Sequence, residues 1–329
     1  MVNFIIRRLV NAVILTLIVS MVVFVLMRML PGDPIHDLIE SEIQSRMSSG
    51  EMMTIEHQQA LRDQLMAENG LNKPLPIQYI DWLGQMLRGD FGKSIARGYD
   101  VASEIGPRMV VSVYLALFSM IVTLILGIIF GTIAAVRNGK LIDNVITTVS
   151  NIGMTIPPIL LAISVIYLFG FTLKLFPIWG FHLPWKGDPA QSIRRTVLPI
   201  LTMSLPGIGG MARMTRSAML DVLNADYVRT AWAKGMREKV VIFRHVFKNG
   251  LMPIVSGVGG MIRGLFGGSV LIESIFVVPG VGALMVSATQ ALDYPVVQAV
   301  TVLMTFITVL SNLVTDILYG WVDPRIQLS

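Results

Sequence analysis

Apolar residues fall along this chain in long runs, not in the short alternating or three-to-four patterns of a water-soluble fold. Six runs stand out, at approximately Leu9–Met27, Val110–Val136, Asn144–Phe171, Thr196–Met211, Gly250–Ile272 and Pro295–Tyr319. A helix of roughly 20 apolar residues covers the ~30 Å hydrocarbon core of a bilayer. The pattern predicts an all-α polytopic membrane protein with six transmembrane helices. The fourth run is short and carries Pro199 and Pro206, which a bundle tolerates because neighbouring helices satisfy the freed carbonyls.

The intervening stretches differ in kind. Residues 1–29 hold the first transmembrane helix, and residues 30–108 are too polar for membrane and read as a small extracytosolic domain. Within it, Thr54 is placed to cap a helix running to Asn69, with Gly70 as its stop and Lys73-Pro74 beyond. A second helix, Ile77–Arg88, ends at Gly89. Residues 109–320 form the membrane core and 321–329 a cytosolic tail. Between the last two runs, Phe276–Gln290 is apolar but broken by Pro279, Gly280 and Gly282. It is too short to cross twice and reads as a re-entrant or interfacial helix at the outer mouth.

Composition agrees: 53% of residues are apolar and 14% charged, with a mean hydropathy of +0.68. A soluble domain carries about a quarter charged residues. There is no cysteine, which excludes a disulfide framework and a thiolate metal site. The net charge of +5 is assigned to cytosolic loops rather than to nucleic acid. After Arg7 and Arg8, the first run lacks a small-x-small cleavage site, so it reads as a retained helix rather than a signal peptide. An N-in arrangement places Arg7, Arg8, Arg137, Lys140, the basic loop between runs four and five, and Arg325 inside. Both termini are then cytosolic.

That basic loop, residues 213–249, is the most informative segment. It carries eight Lys or Arg (213, 216, 229, 234, 237, 239, 244, 248) against Asp221, Asp226 and Glu238. A basic amphipathic helix lying on anionic lipid would explain the charge alone. Asp221, Asp226, Tyr227 and a Gly235 that ends one helix before another begins favour docking of a protein partner instead.

Seven elements occur in order: Pro31-Gly-Asp-Pro34, Arg213-Met-Thr-Arg-Ser217, Asp226-Tyr-Val-Arg-Thr-Ala231, Ala233-Lys-Gly235, His245 with Asn249 and Pro253, Asp293-Tyr-Pro-Val-Val-Gln298, and Asp323-Pro-Arg-Ile326. Together they resemble the B-type permease subunits of dipeptide, oligopeptide and nickel ATP-binding-cassette importers. The widespread loop motif reads Glu-Ala-Ala, three residues, Gly; here the corresponding positions are Arg229-Thr230-Ala231, a form similar to the peptide and nickel branch. The resemblance implies the type-I importer fold and a homologous C-type permease partner. It also implies two cytosolic ATP-binding subunits that carry the ATP and magnesium, an extracytosolic solute-binding protein, and a bacterial or archaeal plasma membrane. Asp221, Asp226, Tyr227, Arg229, Thr230, Ala231, Lys234 and Gly235 would then couple to the ATPases. The chain itself would bind no cofactor or metal and catalyse nothing; di- and oligopeptides would be the cargo, with a nickel chelate or another small solute as the alternative.

Arg263 and Glu273 are candidates for the translocation path. A guanidinium at mid-span costs about 2.5–3.5 kcal/mol on insertion scales and faces a wet cavity or an ion-pair partner. Around Arg263, Gly260, Gly264 and Gly268 share one face and permit close helix packing. Gly89–Ser94 superficially resembles a phosphate loop, but Leu87 stands where that loop needs its first glycine. The four histidines (36, 57, 182, 245) form no metal pair at helical spacing. A secondary transporter would need intramembrane Asp, Glu or His relays, and an intramembrane hydrolase a catalytic pair. The spans offer almost none of the first away from their ends, and none of the second.

Overall fold

The computed structural model describes residues 2–29, 39, 40, 43, 48, 54–68, 70–250, 261 and 269–322. In order these form α1 (Val2–Met29), α2 (Ile55–Glu68), α3 (Leu75–Leu87), α4 (Val101–Val136), α5 (Leu141–Thr155) and α6 (Pro158–Val165). After α6, a π-helical turn runs over Ile166–Thr172. Next come α7 (Pro189–Leu223), α8 (Asp226–Ala233), α9 (Glu238–Val240) with a π-helical extension over Val241–Phe247, α10 (Ser269–Ile275), α11 (Val281–Gln290) and α12 (Tyr294–Val322). Among the described residues, four helices are long and apolar enough to cross a membrane, over Ile6–Met29, Val101–Val136, Pro189–Leu223 and Tyr294–Thr315. A bilayer demands this all-helical solution, because only a helix satisfies every backbone polar group within its own segment. On α1, Leu9, Val13, Met21 and Leu26 point outward. Hydrocarbon is the solvent that leaves such a face without cost.

Several expected boundaries shift. The third run is not one straight helix: α5 and the α6 segment meet at 112°, and together they make a fifth candidate span. Ile156 and Pro157 are both extended at the break, and Pro157-Pro158 is the cause, since a proline disfavours helical backbone in the residue before it. The fourth run proves longer: α7 passes through Pro199 and Pro206 and continues to Leu223, so residues 213–223 extend a helix and do not open a loop. Likewise α4 starts at Val101, earlier than its apolar run. The fifth run is almost wholly outside the described residues. So are Arg263 with its glycines, His36, Pro31–Pro34, Pro253 and Asp323–Ile326.

The chain divides into two compact units, one built on Val111–Gly282 and the other on Ile6–Val110 with Ala283–Ile307. In the first, Leu115, Ala162, Leu198, Phe276 and Val278 form a buried core, with Tyr114 stacked near Phe118 and Trp185. Helices α5 and α7 approach closely at Gly209, where any β-carbon would collide with the Ser150 carbonyl. Thr123 of α4 donates a hydrogen bond to the Ser204 carbonyl of α7 at 3.3 Å, the cross-helix polar contact that apolar surroundings favour.

In the second unit, Thr54 caps α2 by accepting the His57 amide at 3.4 Å, and Gly70 ends the segment at φ +65°. Phe24, Tyr79 and Trp82 cluster to seat α3 on α1. The Gly89–Ser94 turn serves the architecture. Ser94 donates its hydroxyl to Asp293, whose other carboxylate oxygen accepts the Ile95 amide at 3.1 Å. Asp293 is thereby buried and ties the start of α12 to the loop before α4. Burial, with the Asp293 carboxylate nearby, pushes the Tyr99 phenol up.

Candidate functional site

Helix α8 is amphipathic at minimum length. Its Val228 and Ala231 are buried with Ala135 of α4, Met219 of α7, and Val241, Ile242 and Val246 of the following segment. This small core fixes α8 to the ends of two long helices. The segment after it is tied back by Asn249, which donates to the Tyr227 hydroxyl at 2.9 Å. At its C-terminus the Gly235 amide bonds to the Trp232 carbonyl (2.9 Å) and the Met236 amide to the Ala231 carbonyl (3.4 Å). These two bonds define a Schellman stop, which requires a left-handed residue. Gly235 supplies it at φ +73°. A side chain there would meet nothing within 4 Å, so the requirement is conformational and not one of space.

Of the residues expected to couple, Asp221, Asp226, Tyr227, Arg229, Thr230, Lys234 and Gly235 are exposed, and Ala231 faces the core. Trp232 is exposed as well. The result is a rigid element whose apolar side is fully used and whose outward side presents two aromatic rings among charges.

Beneath it lies a clamp that sequence reasoning missed. Arg216 of α7 makes a two-pronged contact with Asp143 of α5, at 2.6 and 2.7 Å, and also donates to Asn138 at 2.8 Å. Asp143 further accepts the Gly139 amide and the Thr147 hydroxyl. Paired this way, the carboxylate is saturated, as a buried charge must be. The clamp joins the α4–α5 turn to the part of α7 that leads directly into α8.

Glu273 is fully buried. Ser112 donates to its carboxylate at 2.7 Å and in turn accepts the Val281 amide at 2.9 Å. Gly280 and Gly282 pack so closely on the Glu273 side chain that a β-carbon at either position would strike it. The connection between α10 and α11 is thus wrapped around one carboxylate, and Val277 within it is held at φ +53°. In this conformation Glu273 organises a turn. The expected re-entrant segment is resolved into that turn and the ten-residue helix α11.

A separate cavity of about 320 Å³ is lined by Ser119, Met120, Thr123, Thr202, Met203 and Met261, with Pro206 and Gly207 at its wall. Prolines and hydroxyls in an apolar run were its only sequence signal.

The protein is all-helical and multi-pass, with an amphipathic element docked on its helix ends, and its relatives define the class. Residues 127–328 match the family described as binding-protein-dependent transport system inner membrane component, and residues 1–100 match its N-terminal companion. The chain is 39% identical over 329 residues to an oligopeptide transport system permease protein, AppB, of Bacillus subtilis, covering 99% of this chain and 100% of the relative. It is 36% identical over 324 residues to a probable peptide ABC transporter permease of Sinorhizobium fredii, covering 98% and 99%. A putative peptide permease of Brucella suis is 33% identical over 335 residues, with 100% of both covered. The chain belongs to the family of binding-protein-dependent transport system inner membrane components.

Proposed function

We propose that this chain forms half of the translocation path of an ATP-driven importer of di- and oligopeptides, paired with a homologous C-type permease. Two ATP-binding subunits dock on the outward side of α8, and a solute-binding protein delivers cargo on the opposite side of the membrane. The observation that carries this reading is α8 itself. Its inner face is packed on α4 and α7 while Asp226, Tyr227, Arg229 and Trp232 stand free of any core. ATP-driven closure of the ATPases moves such an element as a solid lever on the helices it joins, switching the permease pair between two openings. Six spans, with both termini cytosolic, complete the arrangement. The methionine-walled cavity suits varied peptide side chains, because methionine adapts its shape. Peptide cargo is favoured over nickel chelates by the names its relatives carry.

The test is uptake of labelled dialanine by membranes holding this chain with its transporter partners, together with labelling of single cysteines. Without native cysteine the background is clean. A cysteine at Ser48 should react with an impermeant maleimide from outside, and one at Ser217 only after the membrane is opened. Reversed labelling overturns the topology, and absence of ATP-dependent uptake overturns the cargo.

A further inference from the structure

Within the unit built on Ile6–Val110 and Ala283–Ile307, a polar cavity of about 430 Å³ lies among the end of α1, helix α3 and the start of α12. Arg28 is its notable occupant. Its Nε and Nη2 both donate to the Gln78 side-chain oxygen, at 3.1 and 2.9 Å, and its guanidinium stacks 4.4 Å from the Phe24 ring and 5.0 Å from the Tyr294 ring. Gln78 is committed elsewhere as well, donating to the Leu71 and Lys73 carbonyls. Arg28 Nη1 is buried and has no hydrogen-bond partner, and no carboxylate pairs with Arg28 among the described residues. Gln298, one helical turn beyond Tyr294, is 2% exposed, and its Nε2 also lacks an acceptor. Both residues line the same cavity.

Two buried donors without acceptors at one cavity are costly, since each forfeits its hydration without replacement. The charge of the walls states what would relieve them. Arg28, Lys73 and Lys93 face it against Asp81 alone, and Asp81 is already paired with Lys73 at 2.7 Å. The missing partner is an acceptor that carries negative charge, and guanidinium and amide N–H groups together suit the two oxygens of an oxyanion. Trp82 adds an aromatic wall for the remainder of the ligand. We infer that this cavity is an oxyanion site that takes the carboxylate end of a short peptide, held by Arg28 and Gln298. The peptide part of this inference rests on the permease reading above. The site lies on the permease chain itself and in the unit that does not contain α8.

Gln298 offers the clean variants, because its Nε2 makes no bond that folding could lose. The assembled transporter in phosphatidylcholine nanodiscs is titrated with dialanine and with its C-terminal amide, following Tm and calorimetric heat. Dialanine should raise Tm, as any ligand of the native state does, and the amide should not. Gln298→Leu should weaken dialanine binding by about tenfold or more. Gln298→Glu supplies an internal carboxylate, so it should raise Tm by itself and abolish the dialanine response. Equal binding by wild type and Gln298→Glu overturns the site while leaving the permease reading intact. A dialanine response confined to wild type, in a complex that imports no peptide, does the reverse. A Tm rise seen only when phosphatidylglycerol replaces phosphatidylcholine assigns the cavity to a lipid headgroup and overturns the peptide. No response to any of them means that the two donors hold water, and the inference falls.

Discussion

Two aspartate–arginine pairs lie in the unit built on Val111–Gly282, and they do opposite things. Asp143 is 2% exposed and Arg216 29%, with contacts of 2.6 and 2.7 Å and three further hydrogen bonds around them. Asp226 is 100% exposed and Arg229 71%, at 3.9 Å on one turn of α8. In the first pair the carboxylate is saturated, with both oxygens taken by Arg216, Gly139 and Thr147. The second is a loose contact in water, of the kind that contributes little to stability and is readily exchanged for another ion. One holds α7 to the α4–α5 turn, and the other belongs to the surface proposed above to meet the ATP-binding subunits. Identical residue types thus separate into scaffold and contact by burial alone.

The sharpest way to break this contrast is Asp143→Ala. It leaves Arg216 without its partner and the Gly139 amide without an acceptor. A fully buried broken pair costs ~3–5 kcal/mol; because Arg216 retains some exposure, a loss of about 2–4 kcal/mol is expected. Tm of the purified complex should fall clearly, and uptake should be lost. Asp143→Asn keeps an acceptor for Gly139 and should fall between this variant and wild type. An unchanged Tm in Asp143→Ala would remove the clamp from the account.

Gly235→Val comes next. Valine at φ +73° stores about 1–3 kcal/mol of local strain. The strain is confined to the stop of α8, so membrane insertion should persist while ATPase retention and uptake fail. Gly235→Asn should recover much of both, since asparagine tolerates the left-handed conformation. If valine and asparagine were equally damaging, the fault would lie in space or chemistry and not in the backbone angle.

What the sequence discloses follows the same division between local and long-range causes. The apolar runs, the Thr54 cap and the Gly235 stop were legible because each is a local preference of the chain. The 112° break after α5 also had a local sign in Pro157-Pro158, but composition within the run outweighed it. Asp143 and Arg216 are 73 residues apart, and no spacing rule connects them. Arg216 looked like one more basic loop residue, because α7 carries a polar sequence past the apolar run and its helicity is sustained there by packing. Glu273 reads as an acid near the end of a span. Only the return of Gly280, Gly282 and the Ser112 hydroxyl makes it the centre of a turn. The cavity at Arg28 is of this kind too, built from the ends of helices far apart in sequence.

The smallest stability effect, and the one that isolates the contact surface, belongs to the exposed pair. Asp226→Asn combined with Arg229→Gln removes both charges without touching Val228 or Ala231, so α8 remains docked and Tm should not move. The Thr230 hydroxyl bond to the Asp226 carbonyl is to backbone and survives the change. Retention of the ATP-binding subunits is a different matter. Charges at the rim of an interface act through water, and their contribution weakens as salt shortens the screening length to about 8 Å at physiological ionic strength. Wild-type complexes should therefore lose ATPase on washing with rising salt. The double variant should begin with about two- to tenfold lower retention and respond less to salt. Co-purification across a salt series, beside Tm on the same samples, measures both. A Tm drop like that of Asp143→Ala would show the exposed pair to be scaffold after all. Wild-type retention and salt response in the variant would move the docking surface away from these charges, toward Tyr227 and Trp232 alone.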